Sequence, residues 1–298
     1  NKKEPPNKVT KAYASWITTE EEIASPTSLL DAQGLTNDDF QHVLAVLENH
    51  RHLQANKAIR IFQIYYEDWQ KNLLDPSFSP LNNSAVKAEK MEFDVFERLS
   101  RSRDVKKAAL WGALSWRYRE KTGMHGAQLL KIIAANPGAD VYYCNPHVHN
   151  EALFHNMWLQ GETAHPQFLK LSTAFFSATG LDVQELSTIT ASSAWSAANY
   201  FVGSKTFWSK YIPFVRQLFI TAEKKLSDEM RTLLHAETAD DKGLHSGSTY
   251  VPFIVERLFP IFMQREGKAL KAFKIVLPER ERELNVHLKL LRDMKDVA

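Results

Sequence analysis

Three polar side chains, Asn145, His147 and His149, follow a short apolar segment and are candidates for ligand binding. The segment, Val141 to Cys144, has the β-prone composition of an interior strand. Pro146 cannot donate a hydrogen bond to a neighbouring strand, so we expect the strand to end before it. In open α/β sheets, ligands bind just beyond the carboxyl ends of the strands. The sequence therefore predicts a binding site around these three side chains.

The two histidines allow three chemical roles. Imidazole nitrogens bind zinc, manganese or iron-type ions, and Glu151 and His155 share one face of the following predicted helix, where they could complete such a site. The rings could instead donate hydrogen bonds to a phosphate group or a sugar. They could also cap the helix or lie in solvent. The residue types leave these alternatives open.

A charged pair, Glu256 and Arg257, interrupts an apolar segment and is a second candidate for chemistry. A positioned carboxylate accelerates a reaction about 10²–10⁴-fold by removing the proton of a weak nucleophile such as a sugar hydroxyl. An arginine could balance the charge on a departing diphosphate. A structural ion pair is an equally weighted alternative, because burying one charge alone is costly.

A polar loop from Glu237 to Thr249 precedes this segment and contains His245. Loops of this kind close over bound substrates in many transferases, so His245 could contact a diphosphate. An exposed loop without a ligand is the alternative.

Aromatic and polar side chains end the first two predicted strands. Tyr65 and Tyr66 end the first strand, and Ser115 and Trp116 end the second. An aromatic ring at either place could stack on a nucleotide base. Because strand side chains alternate between faces, core packing is the alternative for one member of each pair.

Composition limits the function classes. The chain has 298 residues and a net charge of +2, which argues against a dedicated nucleic-acid-binding protein. Its one cysteine, Cys144, excludes a disulfide within the chain and fits a reducing compartment. No run reaches the ~18 apolar residues of a membrane-spanning helix, and the polar beginning does not resemble a signal peptide. We therefore expect a cytoplasmic protein. Because the first residue is Asn rather than Met, we also expect a longer polypeptide to precede it.

Strand and helix patterns alternate from about residue 57 to 265. Such alternation is typical of an α/β fold with a mostly parallel sheet flanked by helices. The predicted strands lie at 57–67, 108–116, 140–144 and 200–203, and the clearest helices lie at Gly126–Ala135, Gln167–Thr179 and Lys205–Lys225.

Three domains follow from this pattern. Residues 1–56 are predicted to be a polar tail with a helical N-terminal extension, residues 57–265 the α/β domain, and residues 266–298 a charged helical tail. Within the α/β domain, the turn-forming residues from Asp75 to Ser84 predict a loop.

Five short segments of the chain carry a resemblance to a known family. They are, in chain order, Ile59–Tyr66, Leu110–Tyr118, Asp140–Tyr143, Asn199–Gly203 and Pro252–Phe259. Their order resembles glycosyltransferase domains encoded with bacterial capsule and O-antigen genes. Some of those domains carry a Gly-x-x-x-His/Trp motif in the second segment and a Glu-Arg-Leu-Phe helix near the end. The resemblance covers roughly residues 57–265 and rests on the order of the segments more than on any one motif.

The resemblance implies a GT-A-like, Rossmann-type fold and a nucleotide-sugar cofactor, UDP-linked or another nucleoside-diphosphate sugar. The sugar would pass to a glycan or lipid-linked glycan acceptor at the cytoplasmic face of the inner membrane, beside the membrane surface or other domains of a longer polypeptide. Residues implied in donor binding are Tyr65, Tyr66, Ser115, Trp116, Asn145, His147 and His149, and residues implied in catalysis are Glu256, Arg257 and His245.

The resemblance has one departure that concerns a metal. GT-A enzymes usually end this central strand with Asp-x-Asp, which holds a divalent cation against the donor diphosphate. Here the same place contains Asn145, His147 and His149. A cation held by His147 and His149 and a metal-free site therefore both remain open.

Two other functions fit the same residues. A His-x-His pair after a strand also begins the metal site of some amidohydrolases, which would make the protein a metal-dependent hydrolase. A non-catalytic module of a larger polysaccharide-assembly protein, with a degenerate site, is the alternative from another class.

Overall fold

The computed structural model describes residues 59–85, 89–238 and 247–297. The predicted N-terminal extension, residues 1–56, lies outside the described residues, and so does His245.

Six strands form one mixed sheet in the described part of the chain. They are β1 (Ile59–Tyr65), β2 (Ser79–Asn82), β3 (Leu110–Ser115), β4 (Val141–Tyr143), β5 (Phe201–Ser204) and β6 (Ala272–Lys274). Their order in the sheet is β2-β1-β3-β5-β4-β6. Every neighbouring pair is parallel except the two pairs that β5 makes, with β3 and with β4. The predicted α/β fold with a mostly parallel sheet flanked by helices is confirmed.

Helices connect the strands and cover both faces of the sheet. Within the described ranges they are α1 (Glu92–Ser100), α2 (Tyr118–Thr122), α3 (Gly126–Ala135), α4 (Val148–Leu153), α5 (Met157–Ala164), α6 (Phe168–Thr179), α7 (Lys205–Lys225), α8 (Asp228–Leu234), α9 (Val251–Val255), α10 (Leu258–Arg265), α11 (Pro278–Glu283) and α12 (Val286–Met294). The three clearest helix predictions correspond to α3, α6 and α7. Pro213 lies inside α7 without ending it.

The described residues form two hydrophobic cores, one on each face of the sheet. The first core contains alternate strand residues such as Ile64, Ala113 and Phe201, with the buried faces of α1, α6, α7, α9 and α10. The second core contains intervening strand residues such as Leu114 and Tyr142, with the buried face of α3. The central strands therefore bury side chains on both faces, which explains their nearly continuous apolar sequences.

Gly112 allows β3 and β5 to come together. A Cβ atom at this position would lie 2.2 Å from the backbone oxygen of Phe201, so a larger residue would push the two strands apart. The glycine of the second resemblance segment thus has a packing role in the centre of the sheet.

Two segments differ from the prediction. The predicted loop from Asp75 to Ser84 contains β2, which pairs with β1 at one edge of the sheet. Pro80 is tolerated in β2 because an edge strand has one side without a partner. The predicted helical tail, residues 266–298, contains β6, which pairs with β4 at the opposite edge. The sheet therefore extends past residue 265, because pairing with a neighbouring strand overrides the polar composition of this segment.

Candidate functional site

The strand order changes direction at β1. The chain passes from β1 to β2 on one side, whereas β3 lies on the other side of β1. Connections that leave adjacent parallel strands in opposite directions open a crevice at their carboxyl ends, and ligands of open α/β sheets bind there. We therefore expect a ligand to bind at the carboxyl ends of β1 and β3.

Polar side chains line this edge on the side of the first core, one from each of five neighbouring strands. We call this set the edge row; it consists of Asn83, Tyr66, Ser115, Asn199 and Asn145. Because β5 is antiparallel, its beginning lies at this edge and contributes Asn199. Each member lies two residues from a strand residue that packs in the first core, and alternation therefore puts all five on one face.

Two amides of the edge row are buried with incomplete hydrogen bonding. Asn199 is 2% exposed, and neither its side-chain nitrogen nor its side-chain oxygen has a hydrogen-bond partner in the described structure. The side-chain oxygen of Asn83 accepts a hydrogen bond from Arg98 at 2.8 Å, but its nitrogen has no partner there. These amide atoms are closed off from solvent, and leaving them unpaired costs folding free energy.

Glu256 lies at the corner between α9 and α10, on the side of the first core. Its side chain is half-buried, between the buried residues Val255 and Arg257. Burial, and after it the charge of Glu92, raises the pKa of Glu256 to about 7, while Lys121 and Arg257 act in the opposite direction. Its carboxylate makes no hydrogen bond or ion pair within the described ranges. A carboxyl group with this pKa is suited to accept a proton at neutral pH.

Glu92, at the start of α1, acts on the same end of the sheet. Burial is the largest cause that raises the pKa of the Tyr200 phenol, and the charges of Glu92 and Glu256 raise this pKa further. Glu92 also raises the pKa of the Tyr66 phenol, again after burial. Two carboxyl groups, one at the start of α1 and one at the corner between α9 and α10, therefore approach the edge row. Lys121 of α2 is one of the two cations that lower the pKa of Glu256, and Arg257 is the other.

Arg257 faces the protein interior and is fully engaged there. It is 3% exposed, and its nitrogens donate hydrogen bonds to the backbone oxygens of Met157 and Phe253 and to the side-chain oxygen of Gln160, each at 2.7 Å. Its guanidinium carbon lies 4.9 Å from the ring centre of Phe168. This geometry favours the structural alternative for Arg257, because the guanidinium joins α5 to α9 instead of facing the edge row.

A pocket of about 620 Å³ lies at the same strand ends on the other side of the sheet. We call it the edge pocket; its lining includes Leu74, Asp75, Trp116, Arg117, Arg119 and His125. Trp69 packs edge-to-face on Trp116, with ring centroids 5.1 Å apart. Arg117 pairs with Glu120, whereas exposed Arg119 has no ion-pair partner in the described structure. An aromatic ring beside cationic side chains suits an anionic aromatic ligand such as a nucleotide.

Asn145 belongs to a buried structural network. Its side-chain nitrogen donates a hydrogen bond to the Glu151 carboxylate at 2.8 Å. Lys274 of β6 pairs with the same carboxylate at 2.9 Å, so the network joins β4, α4 and β6. The predicted ligand-binding amide is therefore occupied by an internal partner.

The two predicted histidine ligands have different surroundings. His147 is half-buried and precedes α4, whereas His149 is 46% exposed and has its ring nitrogen 3.9 Å from the Glu283 carboxylate. Across residues 59–85, 89–238 and 247–297, no group of three or more His, Cys, Asp and Glu side chains could hold a metal ion. In the part of the chain that the structure describes, no third side chain of these types completes a metal site with His147 and His149.

The remaining predicted residues lie close to the edge but differ in exposure. Tyr65 is buried, with the Lys71 amine 5.4 Å from its ring centre, whereas Tyr66 is half-buried in the edge row. Burial raises the pKa of the Cys144 thiol to about 12, which makes it a poor nucleophile, and the side chain packs as a small residue of the second core.

Comparison of the chain with protein-family models, curated proteins and solved structures finds no match. Among the described helices, none combines the length and the apolar character needed to cross a membrane.

Proposed function

We propose that the protein is a glycosyltransferase that moves a sugar from a nucleotide-sugar donor to a glycan acceptor in bacterial surface-polysaccharide assembly. The observation that carries the proposal is Glu256, a half-buried carboxyl group with a pKa of about 7 beside the carboxyl edge of the sheet. Among the described residues this group has no hydrogen-bond or ion-pair partner. Such a group is an effective base for a sugar hydroxyl, which is a weak nucleophile at neutral pH.

In this proposal Glu256 removes the proton of an acceptor hydroxyl. The hydroxyl oxygen forms a bond to the anomeric carbon of the donor while the bond from that carbon to the diphosphate breaks. The electron pair leaves with the nucleoside diphosphate, and the proton stays on Glu256 until solvent removes it. Lys121 is close enough to lower the pKa of Glu256 and supplies positive charge on the same side.

The nucleotide of the donor would lie in the edge pocket. Trp116 and Arg119 both line this pocket, so the indole would contact the base and the guanidinium group would contact the diphosphate. The mostly parallel sheet with its switch at β1 agrees with the GT-A-like fold that the sequence resemblance implies. We place the reaction in the cytoplasm, at the inner membrane where lipid-linked acceptors are assembled, on the resemblance alone.

The first test is binding of nucleotides by the full chain. Thermal unfolding is measured with UDP, GDP, CDP and dTDP and with their sugar conjugates, and we expect at least one family of nucleotides to raise Tm. Absence of a shift with every nucleotide contradicts the proposal.

The second test compares Glu256→Gln with Glu266→Gln, an exposed glutamate just after α10 that serves as the matched control. Release of nucleoside diphosphate from the bound donor should fall about 10²-fold or more in Glu256→Gln. Donor binding should persist in both variants. Equal turnover in both variants would show that Glu256 is not the base.

A further inference from the structure

Another pocket, of about 420 Å³, lies at the opposite end of β3 from the edge pocket. We call it the tryptophan pocket; its lining includes Lys106, Trp111, Lys205, Trp208, Ile212 and Arg216. Trp111 is the second residue of β3, whereas Trp116, which lines the edge pocket, follows the last residue of that strand. Five residues of extended strand span about 16 Å, so the two pockets are separate. The volume of the tryptophan pocket lies within the range of about 300–1,000 Å³ that is typical of small-molecule sites.

The floor of the tryptophan pocket is apolar and held in place. The indole rings of Trp111 and Trp208 stack with their centroids 4.3 Å apart. The Trp208 indole N–H donates a hydrogen bond to the backbone oxygen of Trp111 at 2.9 Å, so this donor is already occupied. Val105 and Ile212, which are buried, also line the pocket. The floor therefore offers a ligand apolar contact and no hydrogen-bond donor from Trp208.

The rim of the tryptophan pocket is positively charged. Lys106, Lys205 and Arg216 line it, and no Asp or Glu does among the described residues. Lys106 and Lys205 are exposed, and their amines make no ion pair in the described structure. Arg216 contributes less charge, because its Nε atom lies 2.6 Å from the Glu97 carboxylate. Two unpaired amines above an apolar floor attract an anion and repel a cation.

We infer that the tryptophan pocket binds a soluble amphiphilic anion, that is, a carboxylate or phosphate group attached to an alkyl or aryl body. The body packs on the floor formed by Trp111 and Trp208, and the anionic group binds the amines of Lys106 and Lys205. A soluble molecule is favoured over a bilayer, because the apolar floor lies below a charged rim, where a flat membrane surface would not reach it.

This ligand takes no part in the proposed sugar transfer. Tyr200 and Lys205 flank β5 at its two ends, and the charge of Glu256 acts on Tyr200, whereas Lys205 lines the tryptophan pocket. The pocket and the proposed base therefore lie at opposite ends of the strand. The inference rests on the pocket alone and does not depend on the proposed function.

The first experiment measures the affinity of the full chain for four probes by calorimetry and records tryptophan fluorescence during the same titrations. The probes are octanoate, octyl phosphate, octylamine and inorganic phosphate, with the amphiphiles kept below the concentrations at which micelles form. Octanoate and octyl phosphate should bind saturably and change the emission, because two tryptophans form the floor. Octylamine has the same chain with the opposite charge, and inorganic phosphate has no chain, so each should bind at least about tenfold more weakly. Equal affinity for octanoate and octylamine, or no saturable binding of either anionic amphiphile, would overturn the inference.

The second experiment tests the rim with Lys106→Gln, Lys205→Gln and the matched control Lys210→Gln. Lys210 is exposed on the same helix as Lys205 and is not part of the lining. The affinity for octanoate should fall about threefold or more in each of the first two variants and stay within about twofold in the control. All three positions are exposed, so Tm should equal that of the wild type. An equal response in the three variants would indicate general charge attraction and would contradict the assignment to this pocket.

The third experiment fills the pocket with Ala108→Leu. Ala108 is a half-buried lining residue, whereas Ala178 is a half-buried alanine of α6 outside the lining and provides the matched control Ala178→Leu. The larger side chain should lower the affinity for octanoate about tenfold or more in Ala108→Leu and leave it within about twofold in the control. Undiminished binding by a folded Ala108→Leu variant would show that the ligand lies elsewhere.

Two further measurements separate this site from the edge pocket and from a membrane surface. UDP, the probe of the edge pocket, should leave the affinity for octanoate within about twofold, and competition between them would contradict the assignment. The chain is also sedimented with vesicles of phosphatidylcholine and phosphatidylglycerol. Sedimentation that depends on Lys106 and Lys205, with no binding of the soluble probes, would overturn the inference in favour of a lipid headgroup. Failure of the wild type to bind any nucleotide contradicts the glycosyltransferase but leaves the result for the tryptophan pocket in place.

Discussion

The side-chain oxygen of Gln63 accepts a hydrogen bond from the backbone N–H of Asp75 at 2.6 Å. The side-chain nitrogen of the same glutamine donates to the backbone oxygens of Ser115 and Trp116, each at 3.3 Å. Gln63 is completely buried, so one amide in β1 holds both the end of β3 and the loop that lines the edge pocket. The Asp75 carboxylate in turn accepts a hydrogen bond from the backbone N–H of Gly126 at 2.8 Å, which ties the loop to α3.

Replacing Gln63 with leucine should therefore destabilise the protein. The change leaves the N–H of Asp75 and two strand-end carbonyls without their partner, and we expect the free energy of unfolding to fall by about 2–4 kcal/mol. Urea denaturation measures the effect. Gln184→Leu, at an exposed position between α6 and β5, is the control and should change stability by less than about 0.5 kcal/mol. Equal effects in the two variants would mean that the Gln63 bonds are energetically unimportant.

The central strands could be predicted from the sequence, but the edge strands could not. β1 and β3 lie between two cores, so burial on both faces requires continuous apolar residues that the pattern reveals. β2 contains Ser79 and Pro80, and β6 is only three residues long. These segments become strands because β1 and β4 have unpaired backbone groups to which they can bond, and local composition does not indicate that pairing.

The dependence on neighbouring strands also explains why the sequence did not predict Asn199 as a member of the edge row. Ser115 ends its strand, and Tyr66 and Asn145 follow theirs, so their place at the carboxyl edge could be predicted from the strand ends. Asn199 precedes its strand and reaches this edge only because β5 is antiparallel, a property that depends on its neighbours. Likewise, the pKa of Glu256 depends on Glu92, whose proximity only the fold establishes.

The stability of a Glu256→Gln variant should depend on pH in a defined direction. Burial raises the pKa of this group from 4.5 to about 7, so the folded state holds its proton more tightly than the unfolded state does. The resulting loss of stability grows as pH rises from 4.5 toward 7 and is complete above it. Glutamine carries no such penalty. We therefore expect the free energy of unfolding of the variant to exceed that of the wild type by about 1–3 kcal/mol at pH 8 and to equal it at about pH 4.

Urea denaturation at the two pH values measures this difference. Glu266→Gln, at the exposed position after α10, should follow the wild type at both. A Glu256→Gln variant that is less stable than the wild type at the higher pH would mean that the carboxylate has a stabilising partner. If the Glu256→Gln variant is more stable than the wild type but has lower turnover, Glu256 serves the reaction at a cost in stability.

Arg257 should respond to substitution as a structural residue. Lysine cannot reproduce the three hydrogen bonds that the guanidinium makes from one plane, and burial makes an unsatisfied charge costly. Arg257→Lys should lower the free energy of unfolding by about 2–4 kcal/mol, as measured by urea denaturation. The control is Arg265→Lys, because Arg265 is exposed and makes one bond of 3.3 Å to Gly180. A stable Arg257→Lys variant with impaired turnover would instead restore the catalytic interpretation.

Lys295 should anchor the C-terminal helix α12 to α4. Its amine donates to the backbone oxygens of Glu151 and Phe154, at 2.5 and 2.7 Å, and lies 4.1 Å from the ring centre of Trp195. The two carbonyls belong to the last turn of α4 and to its C-cap residue. No further backbone N–H of the helix is available to these carbonyl oxygens, so the lysine amine serves as their hydrogen-bond donor.

Lys295→Ala should therefore lower the free energy of unfolding by about 1–3 kcal/mol and make α12 more sensitive to proteolysis. Lys289→Ala, on the exposed side of the same helix, is the matched control and should have little effect. Thermal unfolding and limited trypsin digestion measure the two expectations. If trypsin cleaves both variants at the rate of the wild type, the contact between Lys295 and α4 does not hold α12 in place. In that case α12 is held by packing alone.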